Sequence, residues 1–299
     1  MTAPTLSARL VSGVGIMRVL LGQLASALGD VDANLNTATK VVAEAAAQDV
    51  DLVVFPELFL HGYALGRIGD DRSIPATDER LRELSTLGPD VLIGYHEDGG
   101  SRTYNTASYL CAGRTVHPHR KLFLPTYLTW EERKHVNPGQ SMRSYDDTPF
   151  GRMATLLCND AWQAVLPWLA VQDGAEVLLV PTNSATSPDP ARTEPVSLDT
   201  VIYWQQLLIS IARMQQCWVV FVNRVGIEAG VTFWGGSQVI NPSGEIIGAA
   251  PKWHQAMHVV DIDVHAAKRR RRSMPLVNEA RLGLIGREID RLIKEGGDA

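Results

Sequence analysis

The sequence predicts an α/β fold in which two β-sheets pack face to face and helices cover their outer surfaces. Three observations favour it: strand-like and helix-like segments alternate in both halves of the chain, hairpins add antiparallel pairs, and no repeat or low-complexity linker divides the 299 residues. The chain is 45% hydrophobic and 20% charged, which is the balance of a soluble globular protein. We therefore expect a single domain over residues 1–299, with a flexible leader at 1–15 and a tail and helix at 268–299.

The first half of the chain contains two apolar segments, MRVLLGQL (17–24) and DLVVF (51–55), which predict buried strands. Between them, residues 34–48 place apolar side chains at the spacing of a helix. These side chains form one stripe: Leu35, Ala38, Val41, Val42, Ala45 and Ala46. A shorter helix at 77–87 then precedes another predicted strand, VLIGY (91–95).

A hairpin and an apolar strand are predicted in the middle of the chain. Residues 103–125 alternate polar and apolar side chains around Gly113, which indicates a β-hairpin. The segment MATLLC (153–158) predicts a buried strand that ends at a cysteine. A helix is expected to begin at Pro167, because proline suits the first helical turn, and to end at Gly174.

The second half continues the alternation with the buried strand EVLLVP (176–181) and a loop, predicted by its turn-forming residues, at 182–195. The clearest helix of the chain follows at 197–216. One face of this helix is formed by Val201, Trp204, Leu208, Ile211 and Gln215. The remaining predicted elements are strands within 217–226, 236–249 and 257–264 and a C-terminal helix at 278–293.

Charge and cysteine content argue against several classes of protein. The net charge is −5, so no overall basic field would recruit nucleic acid or anionic lipid. No apolar run approaches the roughly 18 residues of a transmembrane helix. The three cysteines, Cys111, Cys158 and Cys217, lie far apart, which argues against a disulfide framework and a zinc site. We therefore expect a cytoplasmic protein without a nucleic-acid or membrane partner.

Two histidine pairs and one basic run receive no functional interpretation. His117 and His119 would point to the same side of a strand, but no third metal ligand accompanies them. His254 and His258 have helical spacing, but a strand follows them. The basic run KRRRRS (268–273) is short and isolated in an acidic chain, which favours a solvated surface or a subunit contact. No metal site is expected.

Three chemically distinct side chains lie next to predicted strands: Glu57, Lys121 and Cys158. Each has an ordinary interpretation, namely a solvated carboxylate, a lysine that reaches solvent and an inert buried thiol. Strand ends are also where α/β proteins assemble their sites. A thiol with a pKa of about 8.5 needs a base or a cation nearby, which a glutamate and a lysine would supply. The backbone N–H of Asn159 is a candidate second donor to a tetrahedral oxyanion.

The segments VVFPELFLHGY, RKLFLP and LLCND, in this order, resemble the three signature segments of the nitrilase superfamily, the carbon–nitrogen hydrolases. The similarity extends over nearly the whole chain through GDVDANL, ERKHVNPG, VVFVNRVG, FWGGSQVINPSGE and MPLVNEAR. The resemblance implies an α-β-β-α sandwich of two mixed sheets, in agreement with the fold predicted above. It also implies an enzyme that needs no metal or organic cofactor and that assembles as a homodimer or a larger homo-oligomer.

The resemblance also implies roles for individual residues. Glu57 resembles the general base, Lys121 the oxyanion-stabilising lysine and Cys158 the nucleophile. Glu132 matches the second glutamate, which positions the substrate and the lysine, and Glu131 is the alternative if the alignment shifts by one residue. The implied reaction is hydrolysis of a C–N bond through a cysteine thioester, with release of ammonia or an amine and a carboxylic acid.

The residues after the cysteine bear on the substrate. Nitrilases usually have Trp-Glu there, whereas this chain has Asn159-Asp160, which favours a small-molecule amide. Hydrolases of N-carbamoyl amino acids resemble CND but carry an arginine nearby that this chain lacks. An N-carbamoyl hydrolase, a nitrilase and a catalytically silent binding protein remain as alternatives. The candidate substrate-binding residues are Asn159, Tyr63, Trp162, Gln163, Asn183 and Trp234.

Overall fold

The computed structural model describes residues 15–126, 131–186 and 199–296. Two six-stranded β-sheets and a separate two-stranded ribbon make up its β-structure. All of the predicted leader except Gly15 lies outside the described residues, and so does the predicted loop from residue 187 onward.

The first sheet joins strands from both ends of the chain. Its strands are β1 (Ile16–Gln23), β2 (Leu52–Val54), β3 (Asp90–Asp98), β4 (Thr103–Cys111), β5 (Arg114–Arg120) and β14 (Ala256–Asp263). They follow the order β14-β1-β2-β3-β4-β5, in which β1, β2 and β3 are parallel and the other pairs are antiparallel. The predicted hairpin is confirmed as β4 and β5. Gly113 lies in its turn with φ +75°, a conformation that glycine adopts without strain.

The second sheet is also mixed. Its strands are β6 (Ser144–Tyr145), β7 (Met153–Thr155), β8 (Val177–Thr182), β9 (Trp218–Asn223), β12 (Gln238–Ile240) and β13 (Ile246–Ala249). They follow the order β13-β12-β9-β8-β7-β6, with β7, β8 and β9 parallel. The ribbon consists of β10 (Val225–Glu228) and β11 (Val231–Trp234). The prediction that β7 continues to Cys158 was wrong, because the strand ends at Thr155.

The α-helices of the described residues are α1 (Val31–Ala47), α2 (Glu79–Leu84), α3 (Val165–Gln172), α4 (Asp199–Gln215), α5 (Ala266–Ser273) and α6 (Leu282–Lys294). Helices α1 and α2 pack on the outer side of the first sheet, and α3 and α4 pack on the outer side of the second. The side chain of Asp30 caps α1 by accepting the N–H of Ala33 at 3.0 Å. Helix α3 begins at Val165 rather than at the predicted Pro167, which lies within the first turn, where no intrahelical N–H is needed.

The two sheets and the helices outside them form four layers. This arrangement follows because side chains alternate along strands that are buried on both faces. In β1, Val19 and Leu21 belong to the apolar layer between the sheets, whereas Leu20 packs toward α1. In β8, Leu179 joins the layer between the sheets and Leu178 packs toward α3 and α4. A two-residue period with apolar side chains on both faces requires a covering layer on each side. This arrangement is the predicted α-β-β-α sandwich.

The C-terminal basic run is bound to the rest of the chain. Arg271, on α5, donates to the carbonyl oxygens of Ala175 at 2.7 Å and Gln216 at 3.2 Å. Lys268 pairs with Glu176 at 3.2 Å. The run therefore has intramolecular partners that its sequence did not reveal. Across the described ranges, no helix combines the length and the apolar character that a membrane crossing requires.

Candidate active site

The residues singled out at strand ends meet where the two sheets pack together. Glu57 lies three residues after β2, Lys121 directly follows β5, and Cys158 lies three residues after β7. The Lys121 Nζ atom lies 2.7 Å from Glu57 Oε1 and 2.7 Å from Glu132 Oε1. Glu57 and Lys121 are fully buried, and Glu132 is 6% exposed. Two carboxylates thus hold one ammonium group inside the protein.

The carboxylate of Glu57 is held by hydrogen bonds from three separate segments of the chain. Oε1 accepts the Asn105 Nδ2–H at 2.8 Å in addition to Lys121, and Oε2 accepts the backbone N–H of Asn183 at 2.8 Å. Asn183 Nδ2 also donates to the Glu57 carbonyl oxygen at 2.7 Å. The backbone passes close over β3 here, since a Cβ atom on Gly94 would lie 2.5 Å from the Leu58 nitrogen. The position therefore requires glycine.

The choice between the two neighbouring glutamates follows from their surroundings. Glu132 accepts the Tyr63 hydroxyl at 2.5 Å and the Lys121 ammonium through the same oxygen. The Glu131 side chain is 55% exposed and pairs with Lys134 at 2.6 Å. Glu132, and not Glu131, therefore belongs to the buried cluster.

The loop that carries Tyr63 is fixed by a second buried carboxylate. Glu228 Oε1 accepts the backbone N–H groups of Tyr63 and Ala64, each at 2.8 Å. Its other oxygen pairs with Arg224 Nη2 at 2.7 Å. The Tyr63 ring packs edge-on against Phe233 of the ribbon, with ring centroids 6.3 Å apart. The ribbon thereby positions the hydroxyl that contacts Glu132.

Cys158 has a backbone conformation that few residues adopt. Its φ is +46°, and it starts a short 3-10 turn that extends to Trp162. Backbone strain of this kind is costly and is concentrated at functional sites. Cys158 is partly exposed, whereas Cys111 and Cys217 are buried. It is therefore the cysteine that a small molecule can reach.

The charges around the thiol favour its protonated form. Burial raises the pKa of Cys158 well above its usual range, the Glu57 carboxylate raises it further, and the Lys121 ammonium opposes both. Burial also raises the pKa of Glu132 to about 7, although Lys121 opposes this change. Burial favours the neutral form of Lys121, but Glu132 and Glu57 outweigh it and raise the pKa of the ammonium above its usual range. The resting thiol therefore needs a base to become a nucleophile.

Asp160 connects the two segments that carry Lys121 and Cys158. Its Oδ1 atom accepts the backbone N–H groups of Leu122 at 3.0 Å and Phe123 at 2.9 Å. Its Oδ2 atom accepts the N–H of the residue before Cys158 at 3.2 Å and faces a histidine nitrogen of β5 at 3.0 Å. The sequence placed an acid here without indicating its contacts. Asn105 and Glu228 were missed for the same reason, since nothing local marks a buried polar side chain.

The other predicted pocket residues lie in different environments. Trp162 is 41% exposed and packs edge-on against Trp204 at 5.3 Å. Gln163 is half-buried at the end of the 3-10 turn, and Asn159 Nδ2 donates to the Phe123 carbonyl oxygen at 3.0 Å.

Trp234 packs in the core of the second sheet. It is 2% exposed, stacks on Phe221 at 5.8 Å and donates its indole N–H to Ser184 at 3.0 Å. Its ring is enclosed by the core of the second sheet, and its polar atom is already bonded. Burial does not separate it from the site, because Glu57 and Lys121 are fully buried as well, and Trp234 as a substrate contact stays a prediction.

The fold and the buried cluster agree with the resemblance that the sequence motifs indicate. The chain belongs to the carbon-nitrogen hydrolase family, the nitrilase superfamily, whose sequence profile matches residues 18–272. A solved structure of a mutant Nesterenkonia AN1 amidase from this superfamily superposes with a TM-score of 0.75 at 23% identity. The superposition covers 92% of this chain and 97% of the amidase, which shows that the two share the fold.

Curated proteins that are related in sequence include a synthetase and two amidases. Identity is 28% over 255 residues with a glutamine-dependent NAD(+) synthetase of Thermotoga maritima, covering 83% of this chain and 42% of the synthetase. It is 26% over 269 residues with an N-carbamoylputrescine amidase of Arabidopsis thaliana, covering 84% and 88%. It is 28% over 279 residues with an (R)-stereoselective amidase of a Pseudomonas species, covering 92% and 95%. The chain thus spans less than half of the synthetase and most of each amidase.

Proposed function

We propose that this protein hydrolyses the C–N bond of a small amide through a thioester on Cys158. The observation that carries the proposal is the Lys121 ammonium, held 2.7 Å from both Glu57 and Glu132, in a cluster whose charges act on the partly exposed Cys158. This arrangement supplies a base, a positive charge and a nucleophile, which are the groups that acyl transfer requires. Membership of a hydrolase family supports the same chemistry.

In the first half of the reaction, the Glu57 carboxylate takes the thiol proton as Cys158 Sγ forms a bond to the carbonyl carbon. The carbonyl electrons move to oxygen, and the Lys121 ammonium stabilises the negative charge, with the Asn159 N–H as the predicted second donor. When the carbonyl re-forms, the C–N bond breaks. The leaving nitrogen takes the proton from Glu57 and departs as ammonia or an amine, leaving a thioester.

In the second half, Glu57 takes a proton from a water molecule that attacks the thioester carbon. The C–S bond breaks, the sulfur recovers the proton from Glu57, and the carboxylic acid is released. Glu132 holds the ammonium of Lys121 in place through both steps. Because Asn105 and Asn183 fix the Glu57 carboxylate from two sides, the base needs no reorientation between them.

The residues around the cysteine support an amide as the substrate. Asn159 and Asp160 stand where nitrilases have Trp-Glu, which supports an amide over a nitrile. The guanidinium of buried Arg224 is bound by Glu228 at 2.7 Å and by the Ser26 carbonyl at 2.9 Å. Both contacts are made by Nη2 and hold this side chain in place. Because the arginine that hydrolases of N-carbamoyl amino acids carry near the cysteine is missing here, a small amide without a carboxylate group next to the scissile bond is the better candidate.

A second candidate is hydrolysis of an N-carbamoyl amine, which would release carbon dioxide, ammonia and the free amine. It is favoured by the similarity to N-carbamoylputrescine amidase over 84% of this chain. A carbamoyl group presents the same carbonyl and terminal nitrogen to Cys158 as an amide does. The two candidates differ in the atom that the carbonyl carbon carries on its other side.

Intact-mass spectrometry tests the proposal and separates these candidates. The full chain is mixed with aliphatic amides, N-carbamoyl amines and nitriles, and the mass of any acyl-enzyme and the ammonia released are recorded. We expect an acyl adduct and ammonia from at least one amide, both abolished in Cys158→Ala. Cys111→Ala is the matched control and should behave as the wild type. An adduct from nitriles alone, or a catalytically silent chain with an unreactive Cys158, would contradict the proposal.

The proposal includes the cellular setting and assembly that the sequence predicts. We propose a cytoplasmic homodimer or larger homo-oligomer whose partner is a small-molecule substrate, without nucleic acid or membrane. Free cysteines at positions 111, 158 and 217 support a reducing compartment. Exposed apolar side chains on α6 support assembly, and they include Leu282, Ile289, Leu292 and Ile293. Light scattering of the purified chain measures the subunit number directly.

A further inference from the structure

One side-chain donor reaches the carboxylate that joins the two reactive segments. His119 Nε2 lies 3.0 Å from Asp160 Oδ2, and both side chains are buried. His119 is on β5, two residues before Lys121. Because both oxygens of Asp160 accept backbone N–H groups, Nε2 is the donor in this contact. Among the described residues, no partner contacts His119 Nδ1, so the imidazole is oriented by Asp160.

The position of this contact allows it to influence the geometry of the candidate active site. Asp160 binds the chain immediately after Lys121 and immediately before Cys158, so its orientation sets the separation of the ammonium and the sulfur. A carboxylate held by backbone donors on both oxygens can still tilt about its Cβ–Cγ bond. The His119 donor approaches from β5 and removes that freedom. Inside a protein such a hydrogen bond is electrostatically stronger than in water.

We infer that His119 is a positioning residue for the proposed hydrolysis, acting through Asp160 to hold Lys121 against Cys158. The inference rests on the proposed function, and His119 itself touches no reacting group. Catalytic groups must be held within roughly 0.5 Å of their productive positions, and a 1 Å displacement can reduce the rate about a hundredfold. The effect should therefore fall on kcat more than on KM.

Three variants of the full chain separate positioning from packing. His119→Leu introduces an apolar side chain of similar size and removes the Nε2–H donor. His119→Gln places an amide N–H near the position of Nε2. His117→Leu is the matched control, because His117 lies on the same strand but stacks on Tyr145, with ring centroids 4.9 Å apart.

With an amide that the wild type hydrolyses, we expect His119→Leu to lower kcat about tenfold or more with KM changed less than about twofold. His119→Gln should recover much of the loss, and His117→Leu should stay within about twofold of the wild type. The rate at which iodoacetamide alkylates Cys158 should fall in His119→Leu and recover in His119→Gln. All rates are measured well below the Tm of every variant.

The inference is overturned if His119→Leu retains the wild-type kcat and alkylation rate. It is also overturned if His119→Gln loses as much activity as His119→Leu, since packing alone would then explain the effect. Failure of the proposed function looks different, because the wild type would then release no ammonia from any amide. The alkylation rates would still decide whether His119 positions the thiol.

Discussion

The ammonium of Lys121 and the carboxylate of Glu132 form a buried ion pair with a separation of 2.7 Å, although the two residues lie on different segments. Taking both charges out of water is expensive, and their attraction offsets that only when the geometry is good and further hydrogen bonds are present. Here Tyr63 donates to the same oxygen of Glu132, and Glu57 accepts from Lys121. The position and charge of each member therefore depend on the other members. Replacing one of them should change the activity and the stability of the protein.

Replacing Glu132 by glutamine should lower kcat/KM about a hundredfold, because the amide cannot balance the charge of Lys121 and the ammonium loses its fixed position. Steady-state assay of ammonia release measures this change. Glu131→Gln is the control, since its carboxylate is exposed and pairs with Lys134, and it should stay within about twofold of the wild type. Equal losses in the two variants would show that Glu132 has no special role.

Replacing Lys121 by methionine should abolish turnover and lower the free energy of unfolding by about 3–5 kcal/mol, because two buried carboxylates lose their common partner. The double variant Lys121→Met/Glu132→Gln should regain part of that stability without regaining activity, since one buried charge is removed. Urea unfolding measures the stability, and ammonia release measures the activity. A double variant less stable than Lys121→Met would contradict the account of the ion pair.

Iodoacetamide at pH 7.5 should label Cys158 before Cys111 and Cys217, because Cys158 is partly exposed whereas the other two cysteines are buried. Peptide mapping by mass spectrometry assigns the modified residue. Glu57→Gln should slow the labelling of Cys158 about tenfold or more if the carboxylate acts as the base. The same variant also removes a negative charge that disfavours the thiolate. Faster labelling would therefore mean that Glu57 acts only by repulsion.

Acid should destabilise the protein partly through His61, which is fully buried and bonded to the Arg72 carbonyl and the His96 N–H. Burial lowers the pKa of His61 from 6.5 to about 4. The unfolded chain therefore binds a proton below pH 6.5 that the folded chain rejects. Stability that is present above pH 6.5 is lost as the pH falls toward 4.

Between pH 7 and pH 5, this histidine should contribute a loss of about 2 kcal/mol in the free energy of unfolding. His61→Gln removes the titrating group, so its unfolding free energy should depend less on pH by that amount, even if the variant is less stable at pH 7. Urea unfolding at both pH values measures the difference. Identical pH dependence in the two proteins would show that His61 is not the linked group.

The sequence predicted the layers of the fold because they follow from local periodicity. The strands around Leu20 and Leu178 are apolar on both faces, and the helix that contains Trp204 presents an apolar stripe. The predicted ends of the strands were less accurate where apolar residues continue beyond the sheet. Leu156 and Leu157 are buried and extend the apolar run of β7, although the strand has already ended at Thr155. Composition does not distinguish a buried strand from a buried turn.

The candidate site could be predicted only as a set of residue types. A glutamate, a lysine and a cysteine beside strands indicate acyl-transfer chemistry, and the family motifs assigned a role to each. The same reasoning predicts Trp234 as a pocket residue, because an aromatic residue near a motif looks the same whether it lines a cavity or fills a core. Its enclosed indole and its bond to Ser184 were not indicated by the sequence.

By itself, the sequence determined the order of strands and helices and the presence of a carboxylate, an ammonium and a thiol beside the strands, since periodicity and residue type are properties of the chain. Only the tertiary structure decided that Lys121 meets Glu132 rather than Glu131, and that Asp160 ties the two reactive segments together. Glu57 and Asn183 are 126 positions apart and bond at 2.8 Å. Such contacts depend on how two sheets pack, which no local pattern of residues encodes.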